Sequence, residues 1–305
     1  MGRRTKKLTR RDFLLGATGV AALGAIGAAA GERETSEKAA ATVRPKRARV
    51  ILVRDEKVLD EDGRLDAGRL EQMLDQAVST LLDEQETSVA WRRLVAPSDT
   101  VGIKSNEWSY LPTPRELERA IRQRLINAGV AEDRIAISDR GVLRHPVFEK
   151  ATALINVRPM RTHHWAGVGS LIKNYIMFTE QPSAWHGDSC ANLAGLWELP
   201  QVKGKTRLNI LVMLTPQFHS KGPHGFSRKY VWSYKGLLVG LDPTSVDATG
   251  LRIIMAKRRE FFGADQPLYV SPKHIEVAEK KFGLGVADPS RIDLVRLGWS
   301  EQALI

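Results

Sequence analysis

Sixteen residues from Arg158 to Lys173 hold two arginines, two histidines and a lysine, inside the run Ile155-Asn156-Val157-Arg158-Pro159-Met160-Arg161-Thr162-His163-His164-Trp165-Ala166-Gly167-Val168-Gly169-Ser170-Leu171-Ile172-Lys173-Asn174. These types suit work on an anion. Guanidinium offers a planar fork to carboxylate or phosphate, ammonium acts as a point charge, and imidazole moves a proton or ligates a metal near neutral pH. Gly167-Val168-Gly169 lets the backbone turn closely before a helix whose N-terminal amides could meet an anion. The run is neither a phosphate loop nor a dinucleotide fingerprint: the Gly-Lys-Ser/Thr ending is missing, and Ile172 stands where the third glycine belongs.

Further polar groups follow apolar stretches in the same manner. Lys104 and Asn106 come after Ile103, Ser138-Asp139-Arg140 after Ile137, and Asp242 after Leu241. A helix start disfavours cations unless an anion compensates, so the basic members point to a ligand. Asp139 and Asp242 have an ordinary alternative as helix caps, and His163 and His164 have one as turn residues bonded to backbone. The candidate set is His163 and Lys173 for catalysis, Lys104, Asn106, Arg161, Asn174 and Asp242 for holding a ligand or cofactor, and His186 for a metal. His164, His219 and His224 are the other imidazoles on which a histidine-based metal site could draw.

The elements that must position these groups alternate between strand and helix. Apolar strands are expected at 49–53, 101–103, 134–137, 153–157, 208–213, 237–241 and 292–297. Leu70, Met73, Leu74, Ala77, Val78, Leu81 and Leu82 recur at helical spacing. Thr113-Pro114-Arg115-Glu116 reads as a capped helix start, continued by Leu117, Ile121 and Leu125 and stopped at Gly129. Asp242-Pro243 and Ser271-Pro272 open two more helices. The pattern predicts an α/β fold with a largely parallel or mixed sheet flanked by helices, so ligands are expected beyond the carboxyl ends of the strands. The stretch 178–205, rich in Trp, His, Asn and Gly, reads as a lid or active-site loop.

The 305 residues carry 46 Lys and Arg against 35 Asp and Glu, a net charge of +11. Six of the basic residues lie in 1–30, ahead of a charge-free stretch from Phe13 to Ala30, and without that segment 40 basic residues face 34 acidic ones. Nucleic acid is therefore not the expected partner. The segment has the n-region and h-region of an export signal, with Ala28-Ala29-Ala30 or Ala39-Ala40-Ala41 as cleavage sites and an uncleaved anchor as the alternative. Its Gly- and Ala-rich h-region is weakly apolar, so no stable membrane span is expected after cleavage. Residues 31–47 read as a flexible tether and 48–305 as a single α/β domain. The lone Cys190 rules out an intramolecular disulfide, a four-cysteine zinc site and an iron–sulfur cluster held by this chain alone.

Thr9-Arg10-Arg11-Asp12-Phe13-Leu14-Leu15 resembles the twin-arginine (Tat) motif, which implies the translocase for folded proteins as an export partner and a periplasmic or extracytoplasmic location. The rest of the chain resembles the domain-of-unknown-function 362 family. The likeness runs through Val101-Gly102-Ile103-Lys104-Ser105-Asn106, Ser138-Asp139, Leu154 to Asn174, Gly222-Pro223 and Gly240 to Ala248, with the block ending in Lys173-Asn174 as its most specific part. Many relatives carry ferredoxin-type cysteine clusters and an Asp near the end of the strand matching 208–213, and this chain has neither. The order His163, Lys173, His186 is also similar to that of lactate racemase-like proteins. That resemblance implies an acid/base His163, a Lys173 tethering a nickel-pincer nucleotide, and a nickel-ligating His186. Together the expectations are an exported protein binding a small anionic ligand, a divalent metal or a metal-containing cofactor at the strand ends, acting as an enzyme on a small anionic substrate. A non-catalytic anion-binding protein of the cell envelope is the alternative.

Overall fold

The computed structural model describes residues 47–222 and 225–305. The export signal, all of the tether but Arg47, and His224 with Pro223 lie outside the described residues. Eight strands form one sheet: β1 (Ala48–Arg54), β2 (Val101–Lys104), β3 (Ile135–Ser138), β4 (Ala153–His163), β5 (Gly167–Gly169), β6 (Thr206–Gln217), β7 (Gly236–Gly240) and β8 (Ile292–Gly298). Their order is β3-β2-β4-β6-β7-β1-β8, with β5 turning back along β4 as a short antiparallel ribbon. All the other pairings are parallel except those of β7, which runs antiparallel to both β6 and β1. The α/β class and the mostly parallel sheet expected from the alternation are found.

Helices cover both faces. On one lie α1 (Ala67–Leu81), α2 (Thr87–Leu94) and α3 (Arg115–Asn127), whose Leu70, Leu74, Leu117 and Ile121 pack on Ile51, Val53, Ile103, Ile155 and Val239. The short α4 (Pro146–Glu149) and α5 (Leu171–Asn174), the long α7 (Pro243–Phe262) and α8 (Lys273–Lys280) belong to the other side, where Leu52, Leu211 and Leu238 meet Val246, Ile253 and Ile275. Strands apolar on both faces are what a central, doubly covered sheet requires. Gly250 brings α7 close to β6, for a Cβ there would lie 2.5 Å from Leu211 Cδ2.

Several local expectations change. Thr113 does not cap α3; its hydroxyl accepts from Asn106 N (3.2 Å) and its own N–H donates to Asn106 O (2.8 Å), closing the loop after β2. Strand β4 continues six residues past Val157, because the ribbon with β5 keeps its backbone paired. The stretch 178–205 is not a loose lid: Cys190, Leu193, Leu196 and Trp197 are buried, and Trp197 stacks on Tyr175 at 4.5 Å. Within it, α6 (Gly187–Cys190) is a left-handed turn rather than a normal helix, with Asp188, Ser189 and Cys190 at φ 46, 56 and 63. Three consecutive non-glycine residues in that region cost about 1–2 kcal/mol each, so tertiary contacts hold the turn. One is the ion pair from Lys273 to Asp188.

Candidate functional site

The site grows out of the sheet face that α5 covers. Asn156 and Asn209 interrupt the apolar runs of β4 and β6 and stand opposite each other in register. Asn156 donates to Asn209 Oδ1 and to Leu171 O (3.1 Å each), and Asn209 donates to Leu241 O (3.1 Å). Asn174 extends the network by donating to Asn156 Oδ1 (2.9 Å), Lys104 O (3.0 Å) and Val157 O (3.2 Å). An amide so committed fixes α5 on the sheet and has little left for a ligand.

The amides at the start of α5 already have their anion. Asp247 of α7 accepts from Leu171 N and Ile172 N (2.9 Å each) and from Ser170 Oγ (2.7 Å). Complete burial lifts its carboxyl to about 6, against those hydrogen bonds, which leaves it ionised at neutral pH. The external anion expected at this helix start is displaced by an internal one.

Lys104 also differs from expectation. It is 0% exposed and its three donors go to Ser105 O (2.7 Å), Asp139 Oδ1 (2.6 Å) and Asn174 Oδ1 (3.4 Å). Burial lowers its ammonium to about 8 in spite of Asp139. Burial alone would raise the Asp139 carboxyl, yet Lys104 and the Glu107 N–H (2.9 Å) hold it below its usual value. Lys104 is thus an internal ion-pair partner rather than a ligand contact, and Asp139 is its counter-ion rather than a cap.

A cleft of about 270 Å³ opens beside this network at the carboxyl edge of the sheet, lined among others by Asn106, Arg158, Arg161, His163, Lys173 and His186. Arg158 and Arg161 are 3% and 4% exposed. Arg158 donates to Ser170 O (3.1 Å), while Arg161 donates to Asn106 Oδ1 (3.0 Å) and lies 4.3 Å over the Trp108 ring. The Nε atom of each is buried without a hydrogen-bond partner, and among the described residues no carboxylate comes within 4.0 Å of either guanidinium. Burial lowers Arg158 to about 10 against the attraction of Asp139 and Asp247, and lowers Arg161 well below its usual value against that of Asp139. Residues 158 and 161 are an odd number apart, which in a regular strand would put them on opposite faces. The ladder with β6 is irregular between Pro159 and Arg161, where the partner advances from Val212 to Gln217, and both arginines line the cleft.

Lys173, 5% exposed, has only Cys190 Sγ (3.9 Å) as a hydrogen-bond partner among the described residues, and burial lowers its ammonium to about 8. Cys190 is pushed up by burial and stays a thiol. His163 accepts from Trp165 N at Nδ1 (3.1 Å), which leaves its proton on Nε2 as a donor. Burial, then Lys173 and Arg158, push it far below the usual histidine range, so it does not titrate near neutral pH. His186 lies against Trp165 with ring centroids 4.2 Å apart and the planes tilted by 44°, and burial lowers it to about 4. Among the described residues no three His, Cys, Asp or Glu side chains converge as metal ligands: Trp165 separates His186 from His164, and His219 accepts from Arg258 Nη1 (2.9 Å) far along the chain. His224, the remaining imidazole of the expected metal set, lies outside the described residues.

Asp242 stands apart. Because β7 is reversed, its carboxyl end lies at the opposite edge of the sheet, where Asp242 caps α7 through Thr244 N (2.8 Å) and Ser245 N (3.3 Å) and also accepts from Val286 N (2.8 Å). Sequence reasoning overlooked Asp247, Asn156 and Asn209, whose signal was a single polar residue set in an apolar run. The chain matches no protein-family model, no curated protein and no solved structure.

Proposed function

We propose that the chain binds a small anion in the cleft between β4 and α5, as an exported protein of the domain-of-unknown-function 362 type carried by the twin-arginine translocase. One observation carries the binding: among the described residues Arg158, Arg161 and Lys173 are buried around one cavity and none has a carboxylate within 4.0 Å, Asp139 attracting both arginines and Asp247 attracting Arg158 only from beyond that distance. Burying cations with so little direct pairing is unfavourable, so a bound carboxylate, sulfate or phosphate completes the site. Asn106 orients Arg161, and the His163 Nε2–H supplies a neutral donor. Trp108, stacked beneath Arg161, keeps the guanidinium planar to the cleft wall.

The test is calorimetric titration of the full-length protein with sulfate and with oxalate. A single saturable site is expected, and Arg161→Ala should weaken it with an unchanged circular dichroism spectrum. Absence of saturable binding sinks the reading. Export is tested separately by Arg10→Lys with Arg11→Lys, which should retain the protein in the cytoplasm if the twin-arginine reading holds.

A further inference from the structure

Two lysines are buried within this site, and their surroundings differ. The three N–H groups of Lys104 meet three oxygens, one of them the carboxylate of Asp139. Lys173 meets one sulfur at 3.9 Å, faces the cleft, and shares its wall with Arg158 and Arg161. The charged and titratable groups around it are Arg158, Arg161, His163, His186, His274 and Cys190, and the one carboxylate that lines the same cleft, Asp139, is committed to Lys104 and lies more than 4.0 Å from the Lys173 Nζ. Desolvation and neighbouring cations bring the ammonium down to about 8, so an appreciable share is the free amine just above neutral pH, a nucleophile toward carbonyl carbon. The left-handed turn 188–190 places a neutral thiol, not a carboxylate, against it.

We infer that Lys173 forms a Schiff base with a small 2-oxo acid, whose carboxylate is held by Arg158 and Arg161 while its carbonyl carbon faces the Lys173 Nζ. This rests on the anion-binding reading. The Nζ lone pair adds to the carbonyl carbon and the carbonyl π pair moves to oxygen. A proton passes from nitrogen to that oxygen, giving the carbinolamine. Loss of hydroxide together with the second amine proton releases one water and leaves a C=N bond, with no oxidant or reductant consumed. The Nε2–H of His163 is the donor available to the departing oxygen. A cleft of about 270 Å³ corresponds to roughly nine water volumes, which suits an acid of three to five carbons.

The experiment is reductive trapping. Full-length protein is incubated with pyruvate or glyoxylate and cyanoborohydride, then digested and mapped by mass spectrometry. The expected result is one carboxyalkyl adduct, on Lys173, suppressed by excess sulfate and more abundant as the pH rises through about 8. Lys173→Arg cannot form the imine, so it should lose the adduct. Mapping of the unaltered protein identifies the lysine even where a variant folds poorly. Sulfate binding without a Lys173 adduct, or adducts spread over exposed lysines, overturns the Schiff base and leaves the anion site standing. If neither sulfate binding nor an adduct is found, both readings fall.

Discussion

The cleft at the amino edge of the sheet measures about 580 Å³, about twice the 270 Å³ of the cationic cleft at the carboxyl edge, and its Arg49 and Asp242 are bound internally. There Arg49 pairs with Asp83 (2.6 Å) and Asp293 (3.2 Å), and Asp242 accepts from three backbone N–H groups. In the smaller cleft Arg158, Arg161 and Lys173 find carbonyl, amide or sulfur partners and no carboxylate. Buried charge with little direct pairing, not size, is what favours the smaller cleft for the proposed anion, because Asp139 and Asp247 offset its desolvation cost only from beyond 4.0 Å.

The same contrast separates Lys104 from Lys173, and breaking it should give the largest effect. Lys104→Met leaves Asp139 buried without its counter-ion and should cost about 3–5 kcal/mol, read from denaturant midpoints, whereas Lys173→Met should leave stability unchanged or higher. An equal loss from both would show that the two lysines are not differently committed. Next in size, Arg158→Gln should lower sulfate affinity by about tenfold to a hundredfold, the worth of charged hydrogen bonds, while Arg49→Gln at the opposite edge stays within about twofold.

The pH dependence sharpens the comparison further. Sulfate does not titrate here, so its affinity should fall severalfold between about pH 7 and about pH 9 as Lys173 loses its proton near 8. The folded lysine titrates below its ordinary value of 10.5, so between those two values the unfolded chain binds more protons. Its contribution to stability therefore rises with pH across that window and is unfavourable below it. Sulfate titrations and unfolding curves across the window check the two signs. Smallest of all, Asp242→Ala should cost about 1–2 kcal/mol as a lost cap and leave sulfate binding unchanged.

Much of this was legible beforehand. Alternation of apolar strands with helical spacing revealed the α/β class, and Arg158, Arg161, His163 and Lys173 were visible as a dense basic run. Other features were hidden for physical reasons. Direction is not written in an apolar pentapeptide, so Leu237 to Gly240 gave no hint that β7 runs backwards and carries Asp242 away from the site. Long-range partners are equally silent: nothing local to Leu171 says that Asp247, in a different helix, fills its amides, nor that Asn174 and Lys104 satisfy each other. Thr113 had the local chemistry of a cap, but Asn106 competed for its hydroxyl and won.

The register shift beside Pro159 has a consequence for how this cleft can change. The residues that set it lie on β6, between Val212 and Gln217, in a strand that adds no charge to the cleft. Side-chain facing follows each strand's own backbone, so loss of a single residue from that stretch would flip the β6 residues beyond it while Arg161 and His163, held on β4 by their pairing with β5, keep their face. The charge of the cavity is thus tied to the β4–β5 ribbon and not to the length of its uncharged neighbour.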